Sequence, residues 1–360
     1  MNNDEEFMQY AIDIANKGKF RVMPNPLVGC VLVKNKEVIA EGWHDHIGGL
    51  HAEQMAIADA EARGISLQGA TAYITLEPCN HFGRTPPCTE ALLWAGIKKV
   101  IIGALDPNPT VRGGGLQVLE NEGFEFKTGV LKDSCEEQME NFMHWCKFRK
   151  PLVTLKAATD KNGRIDTDHD VPARRFSNNV SLNLVHELRA ESMAILVGIE
   201  TVIRDNPSLT VRGPDIGPRE RPTRIVIDPN NRIPNSSKLM NDGLAPTLLI
   251  QLAEFDKSKD KGHVERVVIS DSREIEISKI LDMLGDRKIQ SLLVEGGGNT
   301  WGRFLKSGFV NKAHLCVSDM ELGGESDILF GENELKNAGL EIIKDISVES
   351  DRITLWRNTT

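Results

Sequence analysis

The chain has 360 residues, 40% hydrophobic and 26% charged, without a long apolar run. This excludes a membrane-spanning helix and a disordered polyelectrolyte, and it fits a soluble protein of two domains. Lys and Arg total 43 against 52 Asp and Glu, a formal net charge of −9; a general nucleic-acid binder carries the opposite balance, whereas a few converging arginines suffice for a small anionic substrate.

The acidic start, Met1 to Phe7, lacks the apolar core of a signal peptide. Six cysteines in a long chain without an export signal read as thiols or metal ligands in a reducing cytoplasm. Leu27 to Val33 reads as a strand, with Val38 to Gly42 as its hairpin partner across Lys34-Asn35-Lys36. His51 to Arg63 reads as a helix closed by Gly64. Ala70 to Leu76 and Lys99 to Ala104 are β-rich and flank a helical Thr89 to Ala95. Cys135, Met139, Phe142, Met143 and Cys146 share one face of a further helix. That helix runs into Lys147-Phe-Arg-Lys-Pro151, where a domain boundary is expected between residues 148 and 149.

The alternation then restarts. Strands are expected at Leu152–Ala157, Ala194–Val197, Arg224–Ile227, Thr247–Leu252, Arg266–Ile269, Ser291–Glu295, His314–Val317 and Ile353–Trp356. Helical patterns fall near Asn179–Leu188, Ile277–Leu284 and Thr300–Lys306. Strands alternating with helices argue an α/β architecture in both halves.

The strongest chemical signal is His51-Ala52-Glu53 at one helix start, followed by Pro78-Cys79 and by Pro86-Pro87-Cys88 at the next. One imidazole and two thiolates suit Zn²⁺, and three protein ligands leave the fourth tetrahedral position to water. Glu53, two residues from His51, is placed to take a proton from that water and return it to a leaving nitrogen. This is the constellation of zinc nucleobase deaminases. The bland alternative is a structural zinc knuckle with His81 as fourth ligand, which leaves Glu53 without a role. On their own, His44 and His46 read as solvated or core histidines, and Cys30, Cys135, Cys146 and Cys316 as buried thiols.

Eight residues separate Cys79 from Cys88, where polynucleotide- and nucleoside-type deaminases keep Cys-x-x-Cys. That insert, Asn-His-Phe-Gly-Arg-Thr-Pro-Pro, resembles the bifunctional deaminase–reductase family of riboflavin biosynthesis. So do Pro24-Asn25-Pro26, Gly29-Cys30-Val31 and Asp106-Pro107-Asn108-Pro109. The second half is similar through Leu155-Lys156-Ala157, Leu188-Arg189-Ala190, Ala194 to Gly198, Thr201, Asp205 to Arg212 and Val294-Glu295-Gly-Gly-Gly298. The Gly-rich turn before a helix at Thr300 would let backbone N–H groups approach a phosphate. It does not match the dinucleotide fingerprint and is weak alone.

The resemblance implies a cytidine-deaminase-like three-layer domain over residues 1–148 and a dihydrofolate-reductase-like domain over 149–360. It implies zinc-dependent deamination of a diamino-ribosylaminopyrimidinone phosphate, then NADPH-dependent reduction of its ribosyl group to a ribityl chain. Carried over by motif, His51, Cys79 and Cys88 hold the metal and Glu53 shuttles the proton. Asn25, His44, His81, Arg84, Asp106 and Asn108 hold the pyrimidine and phosphate. In the second half Lys156 polarises or protonates the open-chain sugar nitrogen, and Arg189, Leu209, Arg212 and Glu295 contact the sugar phosphate. Ala158, Arg175, Thr201, Asp205 and the run Gly297, Gly298, Asn299, Thr300, Trp301, Gly302 and Arg303 line the NADPH site.

This chain departs from the family at Asn162-Gly163, at Arg175-Phe176-Ser177 and at Val317-Ser318-Asp319-Met320. The expected partner is a small phosphorylated pyrimidine, with neither nucleic acid nor membrane; a homo-oligomer stays open. Three other functions remain. One is a deaminase with a non-catalytic or altered reductase-like domain. Another is a nucleic-acid-editing deaminase, against which spacing and charge both speak. The last is a four-ligand zinc interaction module.

Overall fold

The structure is a computed structural model describing residues 3–80, 86–108, 114–167, 177–258, 260–269, 274–323 and 329–359. It divides into two compact units, Met1–Phe148 with Asp215–Arg219, and Arg149–Pro214 with Glu220–Thr360. No helix among the described residues is long and apolar enough to cross a membrane.

In the first unit α1 (Asn3–Ala15) precedes β1 (Gly29–Lys34) and β2 (Glu37–Trp43). The turn between the strands holds Asn35 and Lys36 at φ 54° and 65°, the left-handed pair that matches the twist of a two-residue hairpin. There follow α2 (Ala52–Ala62), β3 (Thr71–Leu76), α3 (Cys88–Trp94), β4 (Lys99–Ala104), α4 (Gly114–Asn121), β5 (Glu125–Thr128), α5 (Lys132–Gln138) and α6 (Glu140–Phe148). The sheet runs β2-β1-β3-β4-β5, antiparallel on the hairpin side and parallel from β3 to β5.

Strand alternation divides the apolar residues between two helical layers. Val31, Val33, Tyr73 and Ile101 pack with Met8 and Ile12 of α1 and Cys135 of α5. Cys30, Leu32, Ile74 and Ile102 pack with Ala56 and Ala60 of α2, Leu92 of α3 and Leu119 of α4. The unit is therefore three-layered. α2 lies close on β2: a Cβ at Gly42 would fall 2.2 Å from the Ala56 nitrogen, so only glycine admits this approach. The helix expected through Cys135 and Cys146 is two helices, broken at Met139 (φ −118°, ψ 28°). Its apolar face survives the break, since Cys135, Met139, Phe142 and Met143 all join one core.

The second unit contains β6 (Leu152–Thr159), α7 (Asn179–Ala190), β7 (Ala194–Gly198), α8 (Ile199–Asp205), β8 (Thr223–Ile227), α9 (Lys238–Asn241), β9 (Thr247–Gln251) and β10 (Val264–Val268). It continues through α10 (Ile277–Asp286), β11 (Ser291–Val294), α11 (Gly298–Ser307), β12 (Lys312–Val317), α12 (Glu332–Asn337), β13 (Leu340–Val348) and β14 (Asp351–Asn358). Nine strands run in the order β10-β9-β8-β7-β11-β6-β12-β14-β13, all in one direction except β14, which pairs antiparallel with both β12 and β13. One face carries Val153, Leu155, Leu196 and Val294 against Ile280 and Leu284 of α10 and Trp301 and Phe304 of α11. Ile195, Val197 and Val226 pack on the other side against Val202 of α8 and Leu239 of α9. Lys156 alternates away from the first core and lies beside His314 of β12.

Candidate functional site

His51 caps α2 with an extended backbone, and Glu53 is buried in the first turn. β3 delivers Glu77-Pro78-Cys79 from its carboxyl end, and Cys88 opens α3 after Pro87. His51, Cys79 and Cys88 present donor atoms that all lie within 4.8 Å of one another. The His51 Nδ1 stands 3.5 Å from Cys79 Sγ and 3.3 Å from Cys88 Sγ. Tetrahedral zinc, with bonds near 2.0 Å to nitrogen and 2.3 Å to sulfur, separates such atoms by about 3.6 Å. The donor set and its spacing fit that metal.

Two ties hold the triad. The Gln54 side chain accepts from the His51 N–H (3.3 Å) and donates to the Pro86 carbonyl (2.9 Å). The Thr89 N–H donates to the Cys79 carbonyl at 3.3 Å. Hydrogen bonding from Cys88, aided by His51, holds the Cys79 thiol down at about 4, opposed by burial. Burial, with the Cys79 charge beside it, pushes the Glu53 carboxyl up to about 7. Buried in the first turn beside the His51, Cys79 and Cys88 cluster, this carboxyl is placed to exchange a proton with a bound water.

A cavity of about 230 Å³ opens over these groups, lined among others by Asn25, His44, His51, Glu53, Asp106 and Asn108. His44 Nδ1 meets the Leu50 carbonyl at 2.8 Å and therefore donates; its Nε2 then accepts from Asn25 Nδ2 at 3.0 Å. Burial lowers the His44 pKa, which keeps the ring neutral in this chain of bonds. Asn25 is thereby oriented with Oδ1 left to accept from a ligand. The structure brings Asn25, His44, Asp106 and Asn108 around Glu53. His81 and Arg84 lie outside the described residues. Glu77 and Phe142 also line the cavity, and sequence reasoning gave neither a site role.

In the second unit Arg189 of α7 and Glu295 after β11 form a bidentate pair at 2.6 and 2.7 Å, and Arg189 also donates to the Thr210 carbonyl. The two residues expected to contact substrate thus contact each other. Burial opposes ionisation of Glu295, yet the Arg189 guanidinium and Lys156 hold its carboxyl below the usual range. Burial pushes the Lys156 ammonium down, against the pull of Glu295. The Arg212 N–H donates to His186 Nδ1 at 3.2 Å, and Leu209 is buried at φ 47°. The Asp205 to Arg212 stretch is thus tied to α7 at His186 and at Arg189, which holds Glu295, while the Asp205 and Arg212 side chains are exposed.

Gly297 caps α11 at φ 55°, and a Cβ there would lie 3.5 Å from Thr201 Oγ1. A Cβ at Gly198 would meet Thr300 Oγ1 at 2.5 Å. The Thr201 and Thr300 hydroxyls thus stand against these two glycines, and α11 opens directly after Gly297 with Gly298 and Asn299. The rest of the run points elsewhere. Trp301 packs in the core with its ring 4.9 Å from Phe330, and Arg303 donates to the Ile275 carbonyl. Gly302 is half-buried on α11, and Ala158 is half-buried on β6 opposite Cys316. Arg175 lies outside the described residues.

Comparison with known proteins bears on both units. Residues 1–104 match the family model for the cytidine and deoxycytidylate deaminase zinc-binding region, and residues 151–353 match that for the RibD C-terminal domain. The riboflavin biosynthesis protein RibD of Aquifex aeolicus is 38% identical over 323 residues, covering 89% of this chain and 88% of the relative. The protein of the same name from Bacillus amyloliquefaciens is 36% identical over 346 residues, covering 95% and 91%. Among solved structures, a diaminohydroxyphosphoribosylaminopyrimidine deaminase/5-amino-6-(5-phosphoribosylamino)uracil reductase from Thermotoga maritima superposes with a TM-score of 0.86 at 34% identity, covering 99% of both chains. Acinetobacter baumannii RibD gives 0.86 at 32% identity, with the same coverage.

Proposed function

The chain belongs to the RibD family of bifunctional deaminase–reductases of riboflavin biosynthesis, and on that premise we propose how its residues divide the two reactions. The first unit is a zinc-dependent hydrolytic deaminase, and the second is an NADPH-dependent reductase. The observation that carries the reading is the His51, Cys79 and Cys88 cluster beside a buried Glu53, with His51, Glu53 and Cys79 lining one cavity.

His51 Nδ1 and the two cysteine sulfurs would hold the zinc. When bound, zinc supplies the Lewis acidity that makes water nucleophilic near neutral pH. Glu53 takes a proton from the attacking water and returns it to the exocyclic amine, which leaves as ammonia while the ring carbon gains a carbonyl. Asn25, held by His44, accepts from the pyrimidine edge, and Asp106 and Asn108 close the cavity around the substrate. His81 and Arg84 are proposed for the phosphate end, where a guanidinium pairs bidentately.

In the second reaction NADPH supplies the hydride that turns the opened ribosyl group into a ribityl chain. Lys156, with its pKa lowered, is proposed to protonate the sugar nitrogen, and Glu295 holds Arg189 and Lys156 in register. Arg189, Arg212 and Leu209 frame the sugar phosphate. Thr201, Asp205, Ala158, Arg175 and the first turn of α11 from Gly297 to Thr300 are proposed for the cofactor. The substrate is a small phosphorylated pyrimidine.

A coupled assay on the diaminopyrimidine phosphate tests the whole scheme. One ammonia per substrate should appear without NADPH, and NADPH oxidation should require prior deamination. Ammonia release with no subsequent NADPH oxidation would remove the reductase assignment.

A further inference from the structure

We propose that Glu77 is a positioning residue for deamination, setting substrate affinity by clamping the turn that carries Asp106 and Asn108 to the loop that carries Cys79. This inference rests on the reading of the cavity as the deaminase site. Glu77 is 3% exposed, at the carboxyl end of β3 and two residues before Cys79. Its own N–H donates to the Ala104 carbonyl at 2.9 Å, at the end of β4. Its carboxylate reaches the same loop. Oε2 accepts from the Asp106 N–H at 3.2 Å, and Oε1 accepts from the Leu116 N–H at 3.4 Å in the first turn of α4. Asp106 Oδ1 in turn accepts from the Asn108 N–H at 2.8 Å. Gly115 sits against this clamp so closely that a Cβ would fall 2.0 Å from the Pro78 carbonyl.

The arrangement has one economical explanation. The carboxyl ends of parallel strands are the floor of the cavity, and the residues that line it come from separate loops. A buried acceptor that takes N–H groups from two segments fixes one loop against the other. At 3.2 and 3.4 Å the two bonds are each long, so the clamp rests on both acting together with the Glu77 N–H bond to Ala104. Glu77 lies at the cavity wall, but its oxygens are spent on backbone, so its action passes through Asp106 and Asn108.

The test uses the full-length zinc-loaded protein and Glu77→Gln, which keeps the shape but turns one acceptor into a donor facing an N–H. Wild-type ammonia release is measured first; its absence would defeat the reading of the site. Given that release, hydrogen exchange at the Asp106 and Leu116 amides should speed at least tenfold in the variant. The KM for the diaminopyrimidine phosphate should rise about tenfold, with kcat within threefold and one zinc retained. In an Asp106→Ala background the same substitution should change KM less than twofold, because the two act as a unit. Unchanged exchange, additive KM effects, or a fall in kcat that tracks zinc loss would each overturn the proposal. NADPH-dependent reduction of the deaminated intermediate, equal in variant and wild type, reports that the chain is folded.

Discussion

Replacing Glu295 with Gln separates two roles for the Arg189–Glu295 pair. The side chains are 12% and 9% exposed, so the pair is largely out of water. Breaking such a pair by neutralising one partner leaves the other charge buried, at a cost of about 3–5 kcal/mol. The amide oxygen of Gln can keep one of the two bonds, and Arg189 keeps the Thr210 carbonyl, so about 3 kcal/mol is expected. For a unit of this size each kcal/mol lowers Tm by about 2–4 °C, giving a fall of about 6–12 °C. Thermal unfolding of the full chain should show that fall in the transition of the second unit, with deamination at 25 °C unchanged and reduction strongly reduced. The double substitution Arg189→Met with Glu295→Leu should recover most of the Tm and none of the reduction. A Tm within about 1 °C of wild type for Glu295→Gln, with only KM altered, would refute the reasoning and make Glu295 purely a substrate contact.

Gly297→Val should raise the NADPH KM about tenfold or more, because φ 55° strains an L-residue and the side chain crowds Thr201; equal damage to deamination would instead make the turn a folding element. His314, whose imidazole is pushed down to about 4 by burial and by Lys312 and Lys156, binds its proton more tightly unfolded than folded. Its contribution is therefore intact above about pH 6.5 and lost as pH falls towards 4, about 1–2 kcal/mol by pH 5 for this half-buried ring. His314→Gln should flatten the stability difference between pH 7 and pH 5 by that amount, and an unchanged slope would exclude the effect. A fragment of residues 1–150 should bind one zinc and release ammonia, with a lower Tm because it lacks the 215–219 segment and its Arg21–Asp215 ion pair. Metal-free or insoluble fragments at several endpoints would show that the first unit depends on the rest of the chain.

The α/β class was legible because buried strands carry dense Val, Ile and Leu, as in Val31-Leu32-Val33 and Leu292-Leu293-Val294. What sequence reasoning missed has physical causes. α1 was read only as an acidic terminus, and its apolar residues Met8, Ala11 and Ile12 are too few to stand out before packing is known. β13 exposes most of its side chains at the sheet edge, so no alternation marks it. α8 and α9 are shorter than two helical turns, below the length at which periodicity speaks. In the site, His51, Glu53, Cys79 and Cys88 announce themselves because metal chemistry restricts residue type. Gln54 and Glu77 do not, because they bind backbone N–H and C=O groups that every residue carries. The Arg189–Glu295 pairing was hidden for another reason: residues 106 apart meet only through the order of β7, β11 and β6.

If Glu53 moves the proton in a zinc deaminase, Glu53→Gln should abolish most of the deamination while leaving the metal in place. The substitution preserves shape beside His51 and removes only the titratable group. Zinc content, ammonia release and NADPH oxidation should be measured on the same preparation, with the deaminated intermediate supplied for the reductase. The variant should keep one zinc per chain, lose deamination by about 10²–10⁴-fold, and reduce the supplied intermediate at the wild-type rate. Ammonia release within a few-fold of wild type, at full zinc occupancy, would contradict it.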